Sequence, residues 1–290
     1  MVGTSGQCAA PTCCNAGAVT HSRPDIHELL DRHGLAARRK FGQNFVADPN
    51  TVRRIAALAQ VGSGDLVVEI GPGLGSLTLA LIETGAEVVA IEVDSGMAAA
   101  AREVVGENAR IIEGDALAVD WGDVIGSEHA EAHVVANLPY NVGTTIILDI
   151  LEHVEQVKTI TVLVQAEVAE RLAAGPGNKI YGIPSVLAAL YADVEVVAQV
   201  PPTVFVPRPK VTSAVVRLVR RDQSVDVDSA RLAQLVRSAF GQRRKMLRRS
   251  LNGLLDESQI AGADVAPTAR AEELDLAAWV RLASVTSPQS

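Results

Sequence analysis

Asp65-Leu66-Val67-Val68-Glu69-Ile70-Gly71-Pro72-Gly73-Leu74-Gly75 is the stretch that decides the fold. Its first six residues are a near-continuous apolar run rich in β-branched side chains, the pattern of a strand buried on both faces. The glycines then force a tight turn, and a helix over Ser76 to Thr84 follows, ended by Gly85. Glu87-Val88-Val89-Ala90-Ile91 is the next strand, and it ends at Glu92. Strand, glycine-rich turn, helix, strand and terminal acid in this order describe a nucleotide-binding half of a parallel sheet.

The same alternation extends in both directions. Upstream, Pro24 to His33 predicts a short helix, and Asp48-Pro49 caps another that runs to Gln60. Downstream, a helix near Ser95 to Val105 leads to a strand at Arg110 to Ile112 and then to Gly114-Asp115. A fourth strand, His133-Val134-Val135-Ala136, delivers Asn137-Leu138-Pro139-Tyr140. Further helices at 145–153, 166–173 and 185–191 separate strands at 159–164, 194–200 and 214–219. Strands alternating with helices imply a doubly wound, mostly parallel sheet. Beyond Arg221 the strand pattern stops. Asp226 to Ser229 caps a helix to Phe240, Gly241-Gln242 breaks it, and a second helix is expected over Arg243 to Leu255 with Leu247, Leu251, Leu254 and Leu255 on one stripe. Leu274 to Leu282 is a last short helix. The expected organisation is a flexible extension over 1–24, a Rossmann-like α/β domain over 25–221 and a small all-helical domain over 222–290.

Composition bounds the class. With 290 residues, 48% hydrophobic and 21% charged, the chain has the makeup of a globular protein. It has no apolar run near the ~20 residues of a membrane helix and no secretory pattern at its start, so a cytoplasmic protein is expected. Cys8, Cys13 and Cys14 all lie in the small, polar N-terminal segment and read as free thiols. His27, His33, His129, His133 and His153 have no mutual spacing for a metal or a triad, and no metal is expected. Net charge is −8, but the basic residues cluster. Arg38-Arg39-Lys40 is one cluster, and Arg231 through Arg249 another, including Arg243, Arg244, Lys245, Arg248 and Arg249. Local clusters carry nucleic-acid binding more than the total does.

The glycine turn alone does not choose a ligand. Gly71-x-Gly73 begins a dinucleotide fingerprint whose third glycine would fall at Ser76, and the Lys and Ser/Thr of a phosphate-cradling loop are missing. Glu92 suits a ribose diol, which NAD and S-adenosylmethionine share. Two features favour S-adenosylmethionine. Asp115 sits after the third strand, where a carboxylate can accept an adenine amine. Asn137-Leu138-Pro139-Tyr140 has a mechanism for methylating a planar amine. The exocyclic amine of adenine is a poor nucleophile because its lone pair is delocalised. Accepting its two hydrogens on the Asn137 side-chain oxygen and the Leu138 carbonyl favours the pyramidal geometry of attack. Pro139 stiffens the turn, and Tyr140 offers a stacking face worth ~1–3 kcal/mol.

Taken together the motifs resemble the S-adenosylmethionine-dependent ribosomal RNA adenine N6,N6-dimethyltransferases. The resemblance spans Arg39 to Ala283. It rests on Phe-Gly-Gln-Asn-Phe at 41–45, Glu-Ile-Gly-Pro-Gly-Leu-Gly at 69–75, Ile-Glu-Val-Asp at 91–94, Asn-Leu-Pro-Tyr-Asn at 137–141, Phe-Val-Pro-Arg-Pro-Lys-Val-Thr-Ser at 205–213 and Phe-Gly-Gln-Arg-Arg-Lys at 240–245. It implies that Asn44 and the backbone of Val46 cover the cofactor, that Gly71, with Gly73 in the same turn, approaches its methionine part, and that Glu92 and Asp115 hold its ribose and adenine. Asn137 would lie between cofactor and target amine, and Tyr140 and Phe205 would sandwich a flipped adenine. Arg38, Arg39, Lys40, Arg208, Lys210 and the basic stretch from Arg243 to Arg249 would hold RNA. The expected substrate is the terminal hairpin loop of small-subunit ribosomal RNA or its precursor particle, methylated at two adjacent adenosines by a monomer. The alternatives are large-subunit RNA methylation of the antibiotic-resistance branch, a ribosome-assembly or RNA-binding factor without catalysis, and an NAD enzyme.

Overall fold

The computed structural model describes residues 20–36, 44–222 and 225–285. Seven strands form one sheet: β2 (Leu66–Ile70), β3 (Glu87–Glu92), β4 (Arg110–Glu113), β5 (Ala132–Asn137), β6 (Val157–Gln165), β7 (Ala192–Val200) and β9 (Ser213–Arg220). Their order is β4-β3-β2-β5-β6-β9-β7. All contacts from β4 to β6 are parallel, and β9 runs antiparallel to both its neighbours. The expected α/β fold is therefore present. The chain builds outward from β2 to β4, then returns to place β5 on the other side of β2. That reversal opens a crevice outside the carboxyl ends of β2 and β5. Ile70 pairs with Ala136, so Gly71 and Asn137 leave the sheet side by side.

Local sequence explains the helices that flank this crevice. Asp48 caps α2 (Pro49–Ala59) by accepting from the Thr51 amide at 2.9 Å, and Pro49 at the first helical position loses no hydrogen bond there. Asp94 caps α4 (Ser95–Val105) through the amides of Gly96 and Met97. A two-stranded piece, β1 (Phe45–Val46) against β8 (Phe205–Val206), crosses above the glycine turn. It was not visible in the sequence pattern, nor was the short α5 (Trp121–Ile125).

Apolar clusters cover both faces of the sheet. A further cluster joins α8 (Ile183–Tyr191) to the C-terminal helices α9 (Ser229–Gly241), α10 (Leu247–Ser250), α11 (Glu257–Gly262) and α12 (Leu276–Ala283), around fully buried Trp279. The helix expected over Arg243 to Leu255 is not continuous. Only the single turn α10 is helical, because the Leu247 and Arg248 amides donate to Ala269 O at 2.8 Å and Pro267 O at 3.0 Å rather than to the preceding turn. Leu247, Leu251 and Leu255 are still buried as the stripe required.

The expected flexible extension to residue 24 also needs correction. Thr20 is buried, His21 Nε2 donates to Leu74 O at 2.8 Å, and α1 (Arg23–Arg32) starts at Arg23. Ile26, Leu29 and Leu30 of α1 pack with Phe45, Leu74 and Met97, so this segment braces the glycine turn from outside. No helix among the described residues is long and apolar enough to cross a membrane.

Arg220, at the end of β9, closes the other side of the core. Its guanidinium donates to the carbonyls of Val157 (2.8 Å), Leu151 (3.0 Å), Val154 (3.0 Å) and Ile150 (3.3 Å). It reaches the end of α6 (Gly143–His153), where helical amides run out: Ile150 O and Val154 O each also accept one backbone amide, from Val154 and Val157. Arg220→Met keeps the stem and removes all four of these bonds, so it lowers unfolding free energy by roughly 2–4 kcal/mol, measurable by urea denaturation.

Candidate functional site

A cavity of about 300 Å³ occupies the crevice at the carboxyl ends of β2 to β5. The volume is that of a small-molecule site. The glycine turn, Glu92, Asp115, the Asn137–Tyr140 turn and the Asn44–Val46 segment all line it. Sequence motifs scattered over a hundred residues thus meet in one place.

Gly71 and Gly73 have φ of +70° and +56°, a region that side chains disfavour. A Cβ on Gly73 would also lie 2.9 Å from the Phe45 ring, so the turn and the β1 cover are packed without spare room. At Gly71 a Cβ would meet nothing within 4 Å. Beside this turn Glu92 is almost fully buried. Its two oxygens accept from the amides of Gly73 (3.1 Å) and Asp94 (3.0 Å). Burial pushes its pKa up, the two amides hold it back, and the charge of Asp94 adds to the rise. Asp115 is exposed at the rim, with one oxygen accepting from the Leu117 amide at 3.0 Å.

Asn137 is half-buried at the end of β5. Its Nδ2 donates to Asn44 O at 2.8 Å, which fixes the amide's orientation and leaves Oδ1 as its acceptor. The next residues turn the chain into α6. Leu138 is buried and its amide donates to Leu163 O, while Pro139 O accepts from the Gly143 amide at 3.0 Å. Tyr140 lines the cavity, half-buried, with its hydroxyl 2.7 Å from Ser213 Oγ.

Phe205 is not where the resemblance put it. It is fully buried among Val46, Val52 and Ile55 and does not line the cavity. Pairing of Phe205 with Val46 in the β1–β8 ladder turns its ring into the core, so it gives no second face to a base here. Arg243 also needs correction: Nε donates to Glu272 at 2.7 Å, and the guanidinium donates to Lys179 O at 2.7 Å. It fastens the 174–180 loop to the helical segment and is not free for phosphate. Arg248 makes an exposed pair with Glu257 at 3.5 Å. Arg244, Lys245 and Arg249 are exposed and make no ion pair among the described residues, and Arg208 and Lys210 are exposed after β8. Arg38, Arg39, Lys40 and the three cysteines lie outside the described residues. Among the described residues no cluster of His, Cys, Asp or Glu suits a metal ion.

One site residue was missed. Glu69, next to the last residue of β2, is fully buried and lines the cavity, and its Oε2 has no hydrogen-bond partner among the described residues. Ser76 Oγ, also on the cavity wall, is likewise buried and unpaired. Burial pushes the Glu69 pKa up to about 8; neighbouring Thr78 opposes the shift and the charge of Glu92 adds to it. The available signal was an acid inside an otherwise aliphatic strand, since buried unpaired charges are costly.

Residues 34–287 match the family described as Ribosomal RNA adenine dimethylase. The chain is 47% identical over 254 residues to Ribosomal RNA small subunit methyltransferase A of Caulobacter vibrioides, covering 86% of this chain and 97% of that one. Among solved structures it is similar to a dimethyladenosine transferase from Plasmodium falciparum, with TM-score 0.68 and 25% identity over 81% of this chain and 94% of that one. It is also similar to the 23S rRNA methyltransferase ErmE, with TM-score 0.64 and 26% identity over 82% of this chain and 97% of that one.

Glu69 leads to a pH dependence. Its folded pKa lies above the unfolded value of 4.5, so the unfolded chain binds fewer protons between 4.5 and about 8. Stability of the cofactor-free protein therefore falls as pH rises through that window and levels off above it. Glu69→Gln removes this slope. Between about pH 5 and about pH 9 its stability should gain on the wild type by roughly 2–4 kcal/mol, read from urea midpoints.

Proposed function

The chain belongs to the ribosomal RNA adenine dimethylase family, and from that premise we propose that it dimethylates N6 of two adjacent adenosines in the terminal hairpin loop of small-subunit ribosomal RNA. It is an S-adenosylmethionine-dependent methyltransferase. The observation that carries the proposed reaction is the Asn137 amide: Asn44 occupies its donor side, so an acceptor oxygen is held in place at the cavity wall.

The donor set fits the cofactor. Gly71 leaves open space at the turn, and Glu69 and Ser76 have buried polar atoms still unpaired there, which suits the charged methionine end. Glu92 suits the ribose hydroxyls and Asp115 the adenine amine, with Gly73 holding the turn and Asn44 and the Val46 backbone forming the cover. When bound, the cofactor supplies an activated methyl group on a sulfonium.

What remains for the protein is positioning and electrostatics. Asn137 Oδ1 accepts one hydrogen of the target amine and the Leu138 carbonyl the other, which draws the nitrogen toward pyramidal geometry. Pro139 stiffens the position of the Leu138 carbonyl. Tyr140 carries the base on its face, and the proton displaced at each transfer leaves to solvent. Arg208, Lys210, Arg244, Lys245, Arg248 and Arg249, with Arg38, Arg39 and Lys40, supply phosphate contacts. Residues 25–221 form the methyltransferase domain and 222–290 the RNA-binding helical domain; α8 belongs to the first and packs into the core of the second. The chain acts as a monomer in the cytoplasm, on the small subunit or its precursor. Sequence identity weighs for this over large-subunit RNA, because the small-subunit relative is much the more similar.

Asn137→Ala should lower methyl transfer to undermethylated small subunits about 10²–10³-fold. Because Asn137 also ties down the Asn44 cover, affinity for S-adenosylhomocysteine should fall too, but at least tenfold less than turnover does, read by calorimetry. A variant within tenfold of wild-type turnover would refute the role.

A further inference from the structure

The Asn137–Tyr140 turn is tied down at both ends by bonds to distant parts of the chain. Asn137 is held by Asn44, and Tyr140 by Ser213 through the 2.7 Å contact between hydroxyls. Ser213 is the first residue of β9 and is fully buried. It pairs with Gln165 of β6 on one side and Val200 of β7 on the other. Its backbone is therefore held within the sheet, and its hydroxyl is a fixed post. Ser213 does not line the cavity, whereas Tyr140 does.

A tyrosine held only at its Cα can pivot about two torsions. Pinning the hydroxyl as well removes that freedom and sets the ring plane. The ring has no other orienting partner of its kind, since Tyr140 stacks on no other ring among the described residues and Phe205 faces the core. Burial raises the Tyr140 phenol above its ordinary pKa and the Ser213 hydroxyl offsets part of that rise, so the phenol keeps its proton at neutral pH and the contact is a hydrogen bond between two neutral hydroxyls, either of which can donate. The bond also satisfies a serine hydroxyl that would otherwise be buried unpaired.

We propose that Ser213 is a positioning residue, which fixes the plane of Tyr140 and thereby the attitude of the base stacked on it. The inference rests on the reading of Tyr140 as the base platform. Transfer requires the target nitrogen to lie in line with the bond that breaks, and a tilted platform moves the nitrogen off that line. The loss therefore appears in turnover and leaves cofactor binding alone, since the cofactor makes no use of the ring plane.

A double-mutant cycle on methyl transfer tests this. Ser213→Ala and Tyr140→Phe remove the same bond from opposite sides and keep the ring. Each should lower kcat about tenfold, and the double variant should be no slower than either single one. Calorimetric affinity for S-adenosylhomocysteine and KM for the cofactor should stay within about twofold in all three. Losses that multiply in the double variant, or Ser213→Ala turnover within twofold of wild type, would overturn the proposal. Should Ser213→Ala also lose cofactor binding, Tyr140→Phe carries the test alone, and wild-type turnover by that variant overturns it. Tyr140→Ala separates the two levels. Full activity in Tyr140→Ala refutes the platform itself, and an inactive Tyr140→Ala beside a silent Ser213→Ala refutes only the positioning role.

Discussion

Parallel pairing of β2 with β5 is the constraint on which the site depends. These strands belong to opposite wings of the sheet, and their register sets Gly71 beside Asn137 at its carboxyl edge. One offers a backbone free to approach a ligand, and the other offers an amide. A single-residue slip of either strand would send Asn137 to the wrong face. Everything else around the cavity serves to hold that edge. The β1–β8 ladder lies over it, α1 braces the glycine turn, and Arg220 closes the far end of α6.

The cavity is acidic in a way that favours a cationic ligand. Glu69 and Glu92 are both buried; the charge of Glu92 raises the cost of ionising Glu69, and that of Asp94 the cost of ionising Glu92. Glu92 is compensated by two amides, whereas Glu69 has only Thr78 to oppose its shift and keeps one oxygen unpaired. A fold keeps such a group in its core at a cost to stability when the group serves a ligand. A sulfonium cofactor with an ammonium end brings positive charge to this place. Arg208, Lys210, Arg244, Lys245, Arg248 and Arg249, by contrast, are exposed outside the cavity, in loops and on α10, so the acidity of the cofactor cavity and the attraction of RNA are kept apart.

How much of this was legible follows from range. Features set by a few neighbouring residues were visible: the strand from Leu66 to Ile70, the Asp48 and Asp228 caps, the glycine turn and Glu92 at its strand end. So were the residues that β2 to β5 deliver to one edge, because alternating strands and helices leave few topologies. Features set by distant partners were hidden. Phe205 stands in a Pro-rich loop that reads as exposed, yet a two-residue ladder with Val46 buries it. Arg243 reads as a free cation, yet Glu272 and Lys179 O engage it. The 243–255 segment has a helical stripe, but amide bonds to Pro267 and Ala269 break it. His21 anchors a segment whose composition suggests no structure. Glu69 was legible in principle, as an acid where an aliphatic belongs.

Methylation of paired adenosines of small-subunit ribosomal RNA at this edge is tested most directly by mass mapping of methylated adenines after the protein and S-adenosylmethionine are incubated with small subunits from an unmethylated strain. N6,N6-dimethyladenosine is expected at two adjacent positions in the terminal hairpin loop and at no other site. Methylation confined to large-subunit RNA, or monomethylation scattered over many adenines, would contradict it.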